Sequence, residues 1–88
     1  MANYMGGSAP AMAAQIHDGF ILMSAATLRS YTIPDLQVLR LELEKLLRTA
    51  RSEVPPEGDA LAQAARNRRI SRLSSALQVV GAQITTRK

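Results

Sequence analysis

A leucine-rich stretch runs through the middle of the chain: Ile33-Pro34-Asp35-Leu36-Gln37-Val38-Leu39-Arg40-Leu41-Glu42-Leu43-Glu44-Lys45-Leu46-Leu47-Arg48-Thr49-Ala50-Arg51. Six of its apolar residues recur at three- and four-residue steps, which places them on one face of an α-helix. They are Leu36, Leu39, Leu43, Leu46, Leu47 and Ala50. Thr32 and Asp35 have the spacing of a capping box, in which each side chain accepts from the backbone N–H of the other residue. We therefore predict a helix over residues 33–52.

A second amphipathic helix is predicted over residues 58–85, after a break at Pro55, Pro56 and Gly58. Its apolar stripe consists of Ala62, Ile70, Leu73, Leu77, Val80 and Ile84. Because the connection to the first helix is short, we expect the two helices to form an antiparallel hairpin.

An additional helix or arm is predicted ahead of the hairpin, over about residues 11–28. Apolar residues keep helical spacing there, and Ser8 can cap the start. Gly19 weakens this helix by about 1 kcal/mol relative to alanine, and Phe20-Ile21-Leu22 could equally open a short strand. We expect residues 1–10 to form a flexible N-terminus and residues 11–88 to form a single small all-α domain.

The composition agrees with a small helical domain. The chain has 88 residues, of which 47% are hydrophobic and 3% aromatic, and it contains no cysteine. Aliphatic residues with few aromatics are typical of helix bundles rather than of sheets. The lack of cysteine excludes a disulfide scaffold and fits a reducing compartment. A chain of this length buries a limited core, so contact with a partner would add stability.

The sequence contains no candidate for a membrane span. The longest apolar run, from Phe20 to Leu28, is too short and contains Ser24 and Thr27. The N-terminus lacks the features of a secretion signal, because no lysine or arginine precedes this run. We therefore do not expect secretion by a signal peptide.

The chain offers little for catalysis or metal binding. His17 is its only histidine, and Asp18 follows it. Adjacent residues on a helix point about 100° apart, and no recognisable nucleophile accompanies this pair. One histidine without cysteine leaves only scattered carboxylates as metal ligands. We predict no enzymatic activity, no catalytic residue, no metal and no cofactor.

Eight apolar residues are predicted to contact a protein partner, either a further copy of the chain or a different subunit. They are Met12, Ile16, Phe20, Met23, Val38, Leu41, Val80 and Ile84. Val80 and Ile84 extend past the start of the central helix and need cover, whereas Val38 and Leu41 lie off its main stripe. The methionine-rich N-terminal helix can supply that cover. It either packs on its own hairpin as a third helix or docks on another subunit, and the sequence leaves both alternatives open.

The densest basic cluster comprises Arg66, Arg68, Arg69 and Arg72, in a chain of formal net charge +4. Such a cluster contacts phosphate groups or an acidic protein, or it lies in solvent with Arg66 snorkelling near the hairpin turn. No aromatic residue accompanies it, so stacking on nucleic-acid bases is not expected. Nucleic acid remains a possible partner through backbone contacts, but it is not the favoured one.

Ser30-Tyr31-Thr32-Ile33 followed by Asp35-Leu36 resembles small tailed-phage virion proteins of the head–tail joining kind. In those proteins an alanine-rich helix precedes a tyrosine-containing extended piece and a leucine-rich helix. The resemblance covers about residues 13–50 and implies a role as an assembly subunit. This chain lacks the glycine-bearing hairpin expected before the leucine-rich helix, and it adds a long second helix.

Two further resemblances concern the hairpin. Residues 35–84 are similar in outline to the two-helix needle-subunit co-chaperones of type III secretion, and residues 68–73 resemble part of a hairpin protein of the large ribosomal subunit. We predict a non-catalytic structural or adaptor subunit of a larger protein assembly, with a phage virion as the favoured assembly. The expected location is therefore cytoplasmic or within a virion. The alternatives are a type III secretion co-chaperone-like hairpin and a basic nucleic-acid-binding helical module.

Overall fold

The computed structural model describes Tyr4, residues 7–21 and residues 23–87, and over this range the chain is all-α. Three helices follow one another, and the described residues include no strand: α1 spans Ala9–His17, α2 spans Ile33–Ser52 and α3 spans Ala60–Arg87. The prediction of an all-α fold is confirmed. None of these helices combines the length and the hydropathy that crossing a lipid bilayer requires.

The α2 helix begins and ends where the leucine periodicity predicted. The Asp35 backbone N–H donates to the Thr32 hydroxyl oxygen (3.3 Å), and the Thr32 backbone N–H donates to the Asp35 carboxylate (3.1 Å). Both bonds of the predicted capping box are therefore formed. The helix ends at Ser52, shortly before Pro55 and Pro56, because a residue that precedes proline disfavours the helical conformation.

The α1 helix is shorter than predicted, and this corrects the expectation of a helix or arm over residues 11–28. It begins at Ala9, where the Ser8 hydroxyl accepts from the Ala11 backbone N–H (3.2 Å). It ends at His17. Of the N-terminus predicted to be flexible, residues 1–3, 5 and 6 lie outside the described residues.

Gly19 terminates α1. Its φ of 84° is a conformation that glycine adopts without the clash a side chain would cause. The Gly19 N–H donates to the Ile16 carbonyl, and the Phe20 N–H donates to the Gln15 carbonyl. These are the two bonds of a Schellman motif, which satisfies carbonyls at a helix C-terminus. Gly19 is therefore the stop signal of the helix and not a weak point in its middle.

The connection between α1 and α2 consists of consecutive turns that pack inward. The Leu28 N–H donates to the carbonyls of Ser24 (3.3 Å) and Ala25 (3.2 Å), and the Tyr31 N–H donates to the Leu28 carbonyl (3.0 Å). The side chains of Leu28 and Tyr31 are buried. This segment therefore adds to the core, and its described residues contain neither the continuation of α1 nor the alternative short strand; Leu22 lies outside the described residues.

All three helices and the connection after α1 contribute to one hydrophobic core. The largest fully buried side chains are those of Met12, Ile16, Leu28, Leu36, Leu39, Leu43, Leu73 and Val80. The contact between α2 and α3 is the most extensive, and α1 lies against both of them. The antiparallel hairpin formed by α2 and α3 stays a prediction.

Two tyrosines attach the N-terminal part of the chain to this core. The rings of Tyr4 and Tyr31 meet edge to face with centroids 5.3 Å apart. The Tyr31 hydroxyl donates to the Met12 Sδ (3.4 Å), and the Tyr4 hydroxyl donates to the Asp35 backbone carbonyl (2.8 Å). Burial raises the pKa of Tyr4, and the neighbouring Asp35 carboxylate and Tyr31 raise it further.

The α3 helix begins at Ala60, slightly later than the predicted start at residue 58, and continues to Arg87. The Asp59 carboxylate accepts from the Ala62 backbone N–H (2.9 Å). This bond caps the helix N-terminus and places a negative charge where the helix dipole favours one. Gly58, with φ of 82°, forms the tight turn that precedes the cap.

Candidate protein-interaction surfaces

Five of the eight residues predicted for a partner interface lie in the core of the chain itself. These are Met12, Ile16, Met23, Val80 and Ile84, all of which are buried. Val80 and Ile84 thus have the cover they need within the described residues, and an interface that used these five would require the core to open. The interface prediction therefore concerns the other three residues, Phe20, Val38 and Leu41, all of which are exposed.

Val38 and Leu41 lie on the outer face of α2, one turn apart. They are 49% and 53% exposed, whereas Leu36, Leu39 and Leu43 on the opposite face are fully buried. By helical spacing, three further exposed residues lie on this outer face: Pro34, Lys45 and Arg48. The outer face of α2 is therefore apolar towards its N-terminus and basic towards its C-terminus.

Phe20 is 81% exposed. Its chain neighbours Gly19 and Ile21 line an open cleft of about 180 Å³ between the end of α1, the connection after it and α3. The cleft is lined by Ile16, Gly19, Ile21, Met23, Arg72 and Ala76, with Ser71 and Ser75 beside them. A large aromatic side chain in solvent, whose chain neighbours line an apolar cleft, marks this region as a second candidate surface.

Arg72 holds one wall of this cleft in place. Its Nε and Nη2 atoms donate to the His17 backbone carbonyl at 3.2 and 3.1 Å. A Cβ atom added at Gly19 would lie 3.3 Å from the Arg72 Cζ, so the guanidinium packs closely on the glycine. A cation at the C-terminus of α1 complements the helix dipole there. Arg72 therefore joins α3 to the end of α1.

Arg66 makes the equivalent contact with the end of α2. Its Nε donates to the carbonyls of Ala50 (3.1 Å) and Glu53 (2.7 Å), and its Nη2 donates to the Arg51 carbonyl (2.9 Å). The snorkelling predicted for Arg66 near the turn agrees with this place, but the predicted alternatives did not include a bond to a helix terminus. Its position on the apolar stripe of α3 was the only sequence signal that it faces inward.

Arg68 and Arg69 are the two members of the basic cluster that make no side-chain hydrogen bond or ion pair to any residue that the structure describes. Arg68 is exposed and Arg69 is half-buried. Arg69 lines a shallow depression of about 220 Å³ together with Arg66 and Val54-Pro55-Pro56. The four arginines thus divide into two that bind backbone carbonyls within the chain and two that remain available to a partner.

Two exposed aliphatic residues that the sequence analysis did not single out lie near the α2–α3 connection, Val54 within it and Leu61 in the first turn of α3. Val54 is 86% exposed and Leu61 is 84% exposed. Val54 lies outside any helical periodicity, and Leu61 falls off the apolar stripe of α3, so periodicity gave no reason to select either. Exposed aliphatic residues of this kind are common on protein surfaces.

His17 and Asp18 lie side by side at the C-terminus of α1. The His17 Nδ1 and the Asp18 Oδ1 are 2.9 Å apart, and both side chains are accessible to solvent. No group of three or more histidine, aspartate or glutamate side chains that could hold a metal ion occurs among the described residues. The contact is therefore a local pair at the end of a helix.

No protein-family model matches the chain, and neither a curated protein nor a solved structure matches it. These comparisons therefore assign the chain to no family. Apart from Val54 and Leu61, the exposed large apolar side chains of the described residues lie on the outer face of α2 and at Phe20.

Proposed function

We propose that this chain is a non-catalytic structural or adaptor subunit of a larger protein assembly, built on an antiparallel hairpin of α2 and α3. The outer face of α2 is the surface that binds another subunit. The observation that carries the proposal is the exposure of Val38 and Leu41, at 49% and 53%, on a helix whose opposite face already fills the core. A helix that only stabilises its own chain needs a single apolar stripe.

The chemistry of this face defines the partner. Val38 and Leu41 would contact apolar side chains of another protein, while Lys45 and Arg48, which helical spacing puts on the same face, would lie opposite carboxylates. Lys45 makes an exposed ion pair with Glu42 (3.0 Å), which a partner carboxylate can replace at little cost. The partner is therefore a helix or strand with an apolar centre and an acidic end.

The resemblance of residues 30–36 to head–tail joining proteins favours a tailed-phage virion as the assembly. The type III secretion co-chaperone is the alternative assembly, because the α2–α3 pair supports a two-helix outline. In either assembly the proposal assigns binding to the same outer face of α2, so one experiment tests both.

The test compares two double variants that make the same chemical change. Val38→Lys with Leu41→Lys alters the proposed surface. Val54→Lys with Leu61→Lys, called the turn variant, alters the turn and the start of α3, where the replaced residues are even more exposed. In cells that produce the chain with its natural partners, we expect the wild type and the turn variant to elute far above the 9.5 kDa of one chain. The α2 variant should lose that high-mass fraction while its free energy of unfolding stays unchanged.

Two results would overturn the proposal. One is a wild-type chain that elutes as a free protein in those extracts. The other is a turn variant that loses the high-mass fraction as completely as the α2 variant does, because general surface charge would then explain the loss.

Nucleic-acid binding is a second candidate function, favoured by the unpaired side chains of Arg68 and Arg69. It is weakened by Arg66 and Arg72, which donate to carbonyls within the chain. The discriminating measurement is retention of the chain on heparin as salt is raised. Steep salt dependence that Arg68→Gln with Arg69→Gln abolishes would favour this second function.

A further inference from the structure

The open cleft between the end of α1, the connection after it and α3 has an apolar floor and a polar mouth. Its volume is about 180 Å³, and three of the side chains that line it, those of Ile16, Met23 and Ala76, are both apolar and buried. Ser71 and Ser75 line it as well and are exposed. A concave apolar surface with a few polar groups is the usual form of a small-molecule site.

Arg72 brings to this cleft hydrogen-bond donors that the chain itself does not use. A guanidinium carries five N–H groups, and Arg72 uses its Nε and Nη2 atoms to bind the His17 carbonyl at 3.2 and 3.1 Å. Its Nη1 makes no hydrogen bond to any residue that the structure describes, and it is not one of the buried atoms left without a partner. The two N–H groups at Nη1 are therefore accessible to a ligand, while the bonds to His17 hold the guanidinium in place.

The positive charge of Arg72 is not balanced by a carboxylate. The lining of the cleft contains no aspartate and no glutamate, and Arg72 takes part in none of the ion pairs between described residues. Asp18, which follows His17 in the chain, is paired with the His17 Nδ1 at 2.9 Å. The hydroxyls of Ser71 and Ser75 also make no hydrogen bond to a described residue. A negatively charged group that accepts hydrogen bonds therefore fits the mouth of the cleft.

The size of the cleft and its floor define the rest of the ligand. An apolar cavity of about 150 Å³ admits benzene, so there is room here for about one ring. An inorganic anion would leave the apolar floor uncovered, whereas a carboxylate matches the geometry of a single guanidinium. We infer that the cleft binds a small monocarboxylic acid whose apolar part is about the size of one aromatic ring. Its carboxylate lies at Arg72, and its apolar part covers Ile16, Met23 and Ala76.

Gly19 leaves the approach to Arg72 open. A Cβ atom at this position would lie 3.3 Å from both the Cζ and the Nη1 of Arg72. Any other residue would therefore crowd the nitrogen that is assigned here to the ligand. The absence of a side chain at Gly19 serves the binding of an anion as well as the termination of α1.

The cleft is separate from the surface that the proposed function assigns to the assembly, because neither Val38 nor Leu41 lines it. The Val38→Lys, Leu41→Lys variant should therefore bind the acid like the wild type. Loss of assembly without loss of acid binding, or the reverse, distinguishes a failure of one proposal from a failure of the other.

The first experiment is an NMR titration of the purified full chain with three probes. Benzoate carries a ring and a carboxylate, benzyl alcohol carries the ring alone, and acetate carries the carboxylate alone. We expect benzoate to shift the methyl signals of Ile16, Met23 and Ala76 with a Kd on the order of 1 mM. The other two probes should bind at least about 10-fold more weakly. Equal affinity for benzyl alcohol, or equal affinity for acetate, would overturn the inference.

The second experiment adds one negative charge to α3 at two different places. Ser75→Glu introduces a carboxylate at the mouth, where it repels benzoate and competes for Arg72, so the Kd should rise by about 10-fold or more. The matched control is Gln78→Glu, at an exposed position of the same helix that does not line the cleft. Its Kd should change by less than about twofold, because exposed charges are screened. Circular dichroism checks that both variants are folded.

The third experiment removes the guanidinium. Arg72→Gln should abolish the preference for benzoate over benzyl alcohol; if this variant does not fold, the comparison of Ser75→Glu with Gln78→Glu decides. Two further results would overturn the inference. One is a wild-type chain whose cleft signals do not shift at about 20 mM benzoate, roughly 20 times the expected Kd. The other is a folded Ser75→Glu chain that binds benzoate as tightly as the wild type does.

Discussion

Two arginines on α3 each bind the end of a different helix. Arg66 donates to carbonyls at the C-terminus of α2, and Arg72 donates to the last carbonyl of α1. The last carbonyls of a helix have no partner within it and carry its partial negative charge. A buried or half-buried arginine that reaches them satisfies both the hydrogen bonds and the charge. A single basic residue can thus stabilise the fold by binding backbone carbonyls, without pairing with an acidic side chain.

We predict that Arg72→Met lowers the free energy of unfolding by about 1–3 kcal/mol, because hydrogen bonds that involve a charged group contribute about that much. Arg68→Met is the control, since the exposed Arg68 makes no such bond and its loss should change the free energy by less than about 0.5 kcal/mol. Urea denaturation measures both. Equal effects of the two substitutions would mean that the contact with His17 does not stabilise the fold.

We also predict that Leu43→Ala lowers the free energy of unfolding by about 2–5 kcal/mol, because the fully buried side chain would leave a cavity. Leu41→Ala, two residues away on the exposed face, makes the same chemical change and should cost less than about 0.5 kcal/mol. Comparable losses for the two variants in denaturant melts would show that the α2 helix is not oriented as described.

These residues show which features of the fold could be predicted from the sequence alone and which could not. The leucines of α2 were predictable because their spacing is a local property of the helix. The roles of Arg66 and Arg72 were not, because they depend on where two other helices end. A charge cluster on a helix looks the same in sequence whether it faces solvent, a phosphate group or a backbone carbonyl.

At the scale of the elements, the short α1 and the turns after it distinguish the molecule from a regular three-helix bundle. The apolar spacing of Met12, Ile16, Phe20 and Met23 continues past Gly19, so periodicity alone predicts a helix that extends beyond this glycine. The backbone preference of Gly19 opposes that extension, and the Schellman bonds together with Arg72 favour the stop. Leu28 and Tyr31 then reach the core from turns, for which no periodic signal exists.

The two glycines Gly19 and Gly81 provide a matched test. Gly19→Ala should lower the free energy of unfolding by about 1–2 kcal/mol, because alanine is strained at positive φ and its Cβ would lie 3.3 Å from the Arg72 guanidinium. Gly81→Ala should instead raise it by about 0.4–1 kcal/mol, since Gly81 lies within α3 and nothing lies within 4 Å of a Cβ there. Thermal or urea unfolding gives both signs, and a stabilising Gly19→Ala would contradict the Schellman ending of α1.

At the scale of the whole molecule, Tyr4 connects the beginning of the chain to its centre. Its hydroxyl donates to the Asp35 carbonyl at the start of α2, and its ring packs against Tyr31. Burial, followed by the Asp35 carboxylate and Tyr31, raises the pKa of Tyr4 above its ordinary value of 10.0. The fold therefore favours the neutral phenol, which alone can donate this hydrogen bond.

We predict that Tyr4 makes the molecule less stable at alkaline pH. Below about pH 10 the phenol is neutral in both states, and its contribution is complete. Above that pH the unfolded chain ionises first, so the free energy of unfolding falls until the folded-state pKa is passed. The measurement is the difference in urea unfolding between wild type and Tyr4→Phe from about pH 8 to 11. That difference should shrink as pH rises; a constant difference would show that the Tyr4 pKa is not raised.

The contact between Arg72 and His17 also has a consequence for synthesis on the ribosome. The two residues are separated by 55 positions, which corresponds to about 3–11 s of translation at about 5–20 residues per second. An isolated helix as short as α1 is unstable in water. The N-terminal segment therefore remains without this contact, and Met12 and Ile16 are incompletely covered, until about the first half of α3 has been made. During that interval the nascent chain presents these apolar side chains to chaperones.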